Sequence, residues 1–96
     1  MSPARAAESV DYVLAALADP TRRALFEATL KTPGLTTSQL SDRVPAMTRW
    51  GVIKHLAVLR DAGLIQTMAT GRLRRHYAET AALNPLRQWL DGVRDS

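Results

Sequence analysis

The chain contains no cysteine, only 5% aromatic residues and no long apolar run, and each shortage removes a class of protein. Without cysteine there is no disulfide, no thiolate nucleophile and no Cys-based zinc or iron–sulfur site. No segment approaches the ~20 apolar residues that cross a bilayer, so no membrane partner is expected. The first ten residues hold Arg5 and Glu8 but nothing like the apolar centre of a signal peptide, which points to the cytoplasm. With one Phe, two Tyr and two Trp, the core has to be built from Leu, Val, Ile and Ala.

Acid is also missing where base is dense. From Arg43 to His76, seven Lys and Arg residues stand against one acid, Asp61, while the remainder holds six bases against eight acids. Charge segregated in this way reads as an electrostatic footprint for a polyanion. Taken alone, it leaves open a surface that is basic and merely solvated.

What is present sets the size and class. A length of 96 residues suffices for one domain with a modest core, and a hydrophobic fraction of 46% argues against disorder. So small a core gains from burying a helix face against a second copy.

Residues 1–8 are small and polar and are expected to form a flexible tail. Val10, Val13, Leu14 and Leu17 then fall at i, i+3, i+4 and i+7, one stripe of a helix. Asp19-Pro20 ends it and opens a second helix, with Leu25, Phe26 and Leu30 as its buried side and Pro33-Gly34 as its stop. Thr36 with Gln39 makes a capping box for a third helix, stapled by Leu35 and Leu40 and closed by Pro45. Thr48 caps a fourth, whose inward stripe is Val52, Leu56 and Leu59 and whose end is marked by Gly63. The short link between the third and fourth helices, over residues 36–62, is a helix-turn-helix arrangement.

The period then changes from helical to alternating. Leu64–Thr70 and Leu73–Ala78 flank Gly71-Arg72 as a β-hairpin with a basic tip, a wing over 64–78. Asn84-Pro85 starts a last helix, over 85–94, striped by Leu86, Trp89, Leu90 and Val93. The expected fold is therefore mainly α with a small β-hairpin, in the order α-α-α-α-β-β-α. It is one winged helix-turn-helix domain over residues 1–96.

A helix-turn-helix sets the first residues of its second helix at base edges in the major groove. Here that helix begins Thr48-Arg49-Trp50. Arg49 is suited to bidentate contact with guanine, and Thr48 to capping and phosphate contact together. Lys54 and His55 follow at or beside the outer face. A solvated outer side is the alternative for Lys54, and core packing the alternative for Trp50. Arg72 and Arg74 share one side of the hairpin with His76 and are the candidates for reaching the DNA backbone or minor groove. Arg75 points the other way, toward pairing with an acid. Catalytic residues are not expected. His76 and Glu79, three apart on a strand, fall on opposite faces, and there is no glycine-rich phosphate loop and no HExxH.

The stretches LADPTRRALF, LTTSQLSDRVPAMTRWGVIKHLAVLRDAGLI and GRLRRHY resemble the ArsR/SmtB family of winged-helix repressors. The likeness runs from about Val10 to Val93 and is most specific in KHLAVLRDAGLI. It implies a homodimer formed by the first and last helices on an inverted-repeat operator of double-stranded DNA. Arg49, Trp50, Lys54 and His55 would lie at the DNA, with the wing arginines near its backbone. Val10 and Val13 of the first helix would meet Leu86, Leu90 and Val93 of the last at the dimer interface, and Trp89 would pack there, in the core, or beside a ligand pocket between the terminal helices.

Two departures stand out. Many relatives sense metals through cysteines in the helix that here reads TTSQLSDRV, and this one has none. No histidine follows His76, and Asp91 and Asp95 lack partners for a transition metal, so neither metal nor other cofactor is expected. Ile53 replaces the small polar residue common in relatives. With Trp50 it suggests apolar contact with bases or thymine methyls, or tighter packing on the preceding helix. The resulting expectation is a sequence-specific repressor without a metal switch, whose effector would be a small molecule or a protein. A winged-helix module for protein–protein interaction is the alternative.

Overall fold

The computed structural model describes residues 3–96, with side chains from Val10 onward. Its elements are α1 (Pro3–Ala18), α2 (Pro20–Lys31), β1 (Leu35–Thr36), α3 (Thr37–Asp42), α4 (Arg49–Asp61), β2 (Ile65–Thr70), β3 (Leu73–Ala78), a 3-10 turn at Thr80–Leu83 and α5 (Asn84–Arg94).

Helix α1 begins at Pro3, ahead of the stripe that starts at Val10. Residues 3–8 continue the helix, because Pro-Ala-Arg-Ala-Ala-Glu combines a proline suited to a first helical turn with strong helix formers. The expectation for residues 1–2 falls outside the described residues. Alanine has the highest intrinsic helix propensity.

Capping sets the other boundaries. Asp19 Oδ1 accepts from the Arg22 backbone N–H at 2.9 Å, with Pro20 following. That N–H is the chief reason the Asp19 carboxyl sits below its ordinary pKa. The Thr36–Gln39 box is complete in both directions, at 3.1 and 2.9 Å. After α4, Gly63 at φ +77° lets its N–H reach the Arg60 carbonyl and the Leu64 N–H reach that of Leu59, which closes a Schellman motif. Asn84 differs from expectation. It is the first residue of α5, and its side chain caps nothing.

The core joins α1, α2, α3, α4 and the base of the sheet through Val13, Ala16, Leu25, Phe26, Leu40, Val52, Leu56, Leu59, Leu64 and Ile65. Val13 is only 2% exposed, so its expected place at a dimer surface is corrected: the protomer's own core takes it. On α2 the buried stripe runs Leu25, Phe26, Thr29, while Leu30 is left exposed. Thr29 tolerates burial because its hydroxyl donates to the Phe26 carbonyl at 2.6 Å.

Beyond the expected hairpin, the sheet gains a third strand, in the order β1-β3-β2, all antiparallel. The two residues of β1 pair with His76 and Arg75, which ties the root of the wing to the start of α3. Thr70 opposes Leu73, leaving Gly71-Arg72 as a two-residue turn. Gly71, at φ +62°, supplies the positive φ that a type II′ turn needs at its first position.

Candidate nucleic-acid interface

Helix α4 is oriented by what it buries. Val52, Leu56 and Leu59 lie on one side and are almost fully buried. At 100° per residue, Trp50, Lys54 and Ala57 fall opposite them. Trp50 is 64% exposed, so the core alternative for it is set aside. The Lys54 ammonium lies 5.5 Å from the centre of the indole ring, a cation–π contact that links two residues one turn apart. Thr48 does cap the helix, its Oγ1 accepting from the Gly51 N–H at 3.0 Å.

His55 does not join this outer face. It is half-buried toward α2, with Nδ1 3.4 Å from Arg22 Nη1. A guanidinium only donates, so Nδ1 is the accepting atom in this contact. Arg22 is itself held by the carbonyls of Ala16 and Ala15, at 2.8 and 3.2 Å. The group expected at the DNA therefore ties α4 to the junction of α1 and α2.

Between α4 and the wing runs a cleft of about 490 Å³, lined by Arg49, Ile53 and Arg60 on one side and by Arg72, Arg74 and His76 on the other. The first residues of α3 form its floor. Arg60 was not singled out in the sequence. Its signal was there, since eleven residues after Arg49 is three helical turns and returns to the same side.

The two faces of β3 divide the remaining wing residues. Arg74 and His76 alternate toward the cleft, and Arg74 remains exposed. His76 is 2% exposed. Its Nε2 lies 2.8 Å from Thr37 Oγ1 of α3, and its Nδ1 lies 2.9 Å from Thr67 Oγ1 of β2. Thr67 also accepts from Arg60 Nη1 at 3.3 Å, so one histidine joins α3, the wing and α4. Burial above all holds its pKa below the ordinary 6.5, with Arg60 and Arg74 adding to the effect. Arg75 faces the other way and, instead of an acid, meets the Gly34 carbonyl at 3.0 Å.

The candidate interface residues on α5 remain uncovered within the protomer. Trp89, Leu90 and Val93 are each about half exposed, which excludes the core alternative for Trp89, while Leu86 packs against the core. Val10 is half-buried. Tyr12 of α1, not singled out in the sequence, is exposed and lines a shallow pocket with Ala82 and Pro85 beside the start of α5. Among the described residues no three His, Asp or Glu side chains gather as a metal-ligand group, and no helix is long and apolar enough to cross a membrane.

Residues 17–67 match the family model described as a helix-turn-helix domain. The chain is 32% identical to YuzN, an HTH-type transcriptional regulator of Bacillus subtilis, over 84% of this chain and 95% of that protein. Among solved structures, an ArsR family transcriptional regulator superposes with TM-score 0.83 at 32% identity, covering 92% of this chain and 89% of the other. An ArsR-like transcriptional regulator from a Rhodococcus species gives TM-score 0.79 at 30% identity, over 92% and 81% of the two chains. A basic helix-turn-helix flanked by a wing, together with these likenesses over nearly its whole length, shows that the chain belongs to the ArsR family of DNA-binding winged helix-turn-helix transcriptional regulators, which are not enzymes.

Proposed function

We propose that the chain is a cytoplasmic homodimeric repressor that reads an inverted-repeat operator and carries no metal switch. The observation that carries this reading is the convergence of Arg49 and Arg60 of α4 with Arg72 and Arg74 of the wing on one cleft. Duplex DNA presents one negative charge per ~1.7 Å of helix axis, and a basic cleft of this kind suits such a polyanion. Residues 36–62 act as the helix-turn-helix and 64–78 as the wing, with Thr48, Arg49, Trp50, Lys54, Arg72 and Arg74 at the DNA. His55, turned toward Arg22, supports α4 from behind.

Residues 85–94 act as the dimerisation helix. Trp89, Leu90 and Val93 form an apolar face that a second copy would cover. Pairing of this kind holds two recognition helices ~34–36 Å apart, one turn of DNA. Occupying a promoter then excludes polymerase. The lack of cysteine removes every thiolate ligand set, which supports regulation without a thiolate-bound metal. The exposed indole of Trp50 favours one rival, a winged helix that docks on a protein.

Fluorescence anisotropy with fragments of the protein's own promoter region, against scrambled duplex at ~0.15 M salt, tests the reading. Binding by dimers at least ~10³-fold tighter to one fragment is the expected result. Equal, weak binding to every fragment would reject it in favour of the protein-docking rival.

A further inference from the structure

We infer that Trp50 and Ile53 form an apolar reading patch that selects thymine by its C5-methyl group within each half-site. The inference rests on the DNA-binding reading of α4. On a surface built to meet a polyanion, two large apolar side chains stand in the open, Trp50 at 64% and Ile53 at 40% exposure. They are three residues apart, hence neighbours on the helix surface. Among the described residues nothing covers them, although the core beneath is filled by Val52, Leu56 and Leu59.

Their surroundings identify the occupant. Arg49, Arg60, Arg72 and Arg74 line the cleft with Ile53, Lys54 stands beside the Trp50 ring, and no acid is among the described residues that line the cleft. An apolar protein partner would have to bury against five cations, whereas DNA supplies their counter-charge in phosphate. Inside the major groove the one apolar group on a base edge is the thymine methyl. The two residues also divide the groove between them. Trp50 lies opposite the buried stripe of α4, while Ile53 is turned about 60° toward the wing and lines the cleft. The Lys54 ammonium beside the indole restrains that ring on the outer face before DNA arrives. Thymine is thereby read by dispersion and water exclusion beside a polar contact from Arg49.

Replacing thymine by uracil removes the methyl and leaves every hydrogen bond of the base pair in place. Duplexes selected by the full-length protein from a randomised pool would therefore be resynthesised with deoxyuridine, one position at a time, and compared by anisotropy. A weakening of about fourfold per contacted methyl is expected at one or two positions in each half-site. In Trp50→Ala or Ile53→Ala the thymine and uracil duplexes should bind alike at those positions. Both side chains are exposed, so the variants should melt as the parent does. The uracil comparison on the unaltered protein does not depend on their folding. Equal binding of thymine and uracil duplexes, with sequence preference otherwise intact, would overturn the methyl-reading patch and leave the DNA reading standing. Failure of the pool to yield any preferred duplex would overturn both and return the patch to a protein partner.

Discussion

Thr37 Oγ1 and His76 Nε2 lie 2.8 Å apart, joining the first turn of α3 to the central strand of the sheet. With Thr67 2.9 Å from the other ring nitrogen, His76 is enclosed by hydroxyls and flanked by cations. A neutral imidazole satisfies both hydroxyls by donating from one nitrogen and accepting at the other. A protonated ring would add charge in a buried place beside Arg60 and Arg74.

The pH dependence of stability follows from that arrangement. The unfolded chain takes up a proton on this histidine near pH 6.5, and the folded chain does so only at lower pH. Stability from neutral His76 is therefore complete above about pH 6.5 and is lost as pH falls toward the lowered native value. Urea midpoints at about pH 7.5 and about pH 5.5 should drop for the parent and drop less for His76→Gln. Asp19 acts in the same direction but below its ordinary 3.8, so the two windows are separate.

Arg49 and Arg72 border the same cleft but stand in different settings, one on the helix and one at the exposed turn of the wing. Arg49→Ala should cost ~1–3 kcal/mol and relax one base position. Arg72→Ala should weaken all sequences alike and lower the salt slope by about 0.9 for each phosphate released. Salt titrations on matched and mismatched duplexes measure both, and an unchanged slope for Arg72→Ala would take the wing tip off the backbone.

Leu59 is fully buried under α4. Truncation to alanine leaves a cavity as well as losing transfer energy, and should cost ~2–5 kcal/mol in urea unfolding. A cost below ~1 kcal/mol would mean that the neighbouring helices close the gap.

Trp89 and Leu90 lie on the uncovered face of α5. Trp89→Glu with Leu90→Glu should leave the fold intact by circular dichroism, yet yield monomers in sedimentation and lose most operator affinity. A double variant that still sediments as a dimer would move the interface elsewhere.

Much of this was readable from local chemistry. Caps at Asp19, Thr36 and Thr48, the turn glycines Gly63 and Gly71, and the stripe Val52–Leu56–Leu59 act within a few residues of themselves. Their spacing therefore carries the signal. The third strand did not, because two residues make no periodic pattern, and Leu35-Thr36 becomes a strand only when β3 lies alongside. Val13 and Leu14 share a helical stripe in sequence, yet one is core and the other surface. That choice depends on where α2 and α5 lie against α1.

By itself the sequence determined the order of the five helices and the hairpin, the caps at Asp19, Thr36 and Thr48, the basic character of α4 and the wing, and the absence of any thiol chemistry. These depend on backbone propensity, short-range capping and composition, which need no distant partner. Only the tertiary structure decided that His55 turns back to Arg22, that Arg60 joins Arg49 at the cleft, and that Trp50 stays in the open. It also decided that His76 is buried between hydroxyls from two other elements. Each of these depends on which side of an element meets its neighbour, and that is set by close packing of groups far apart in the chain.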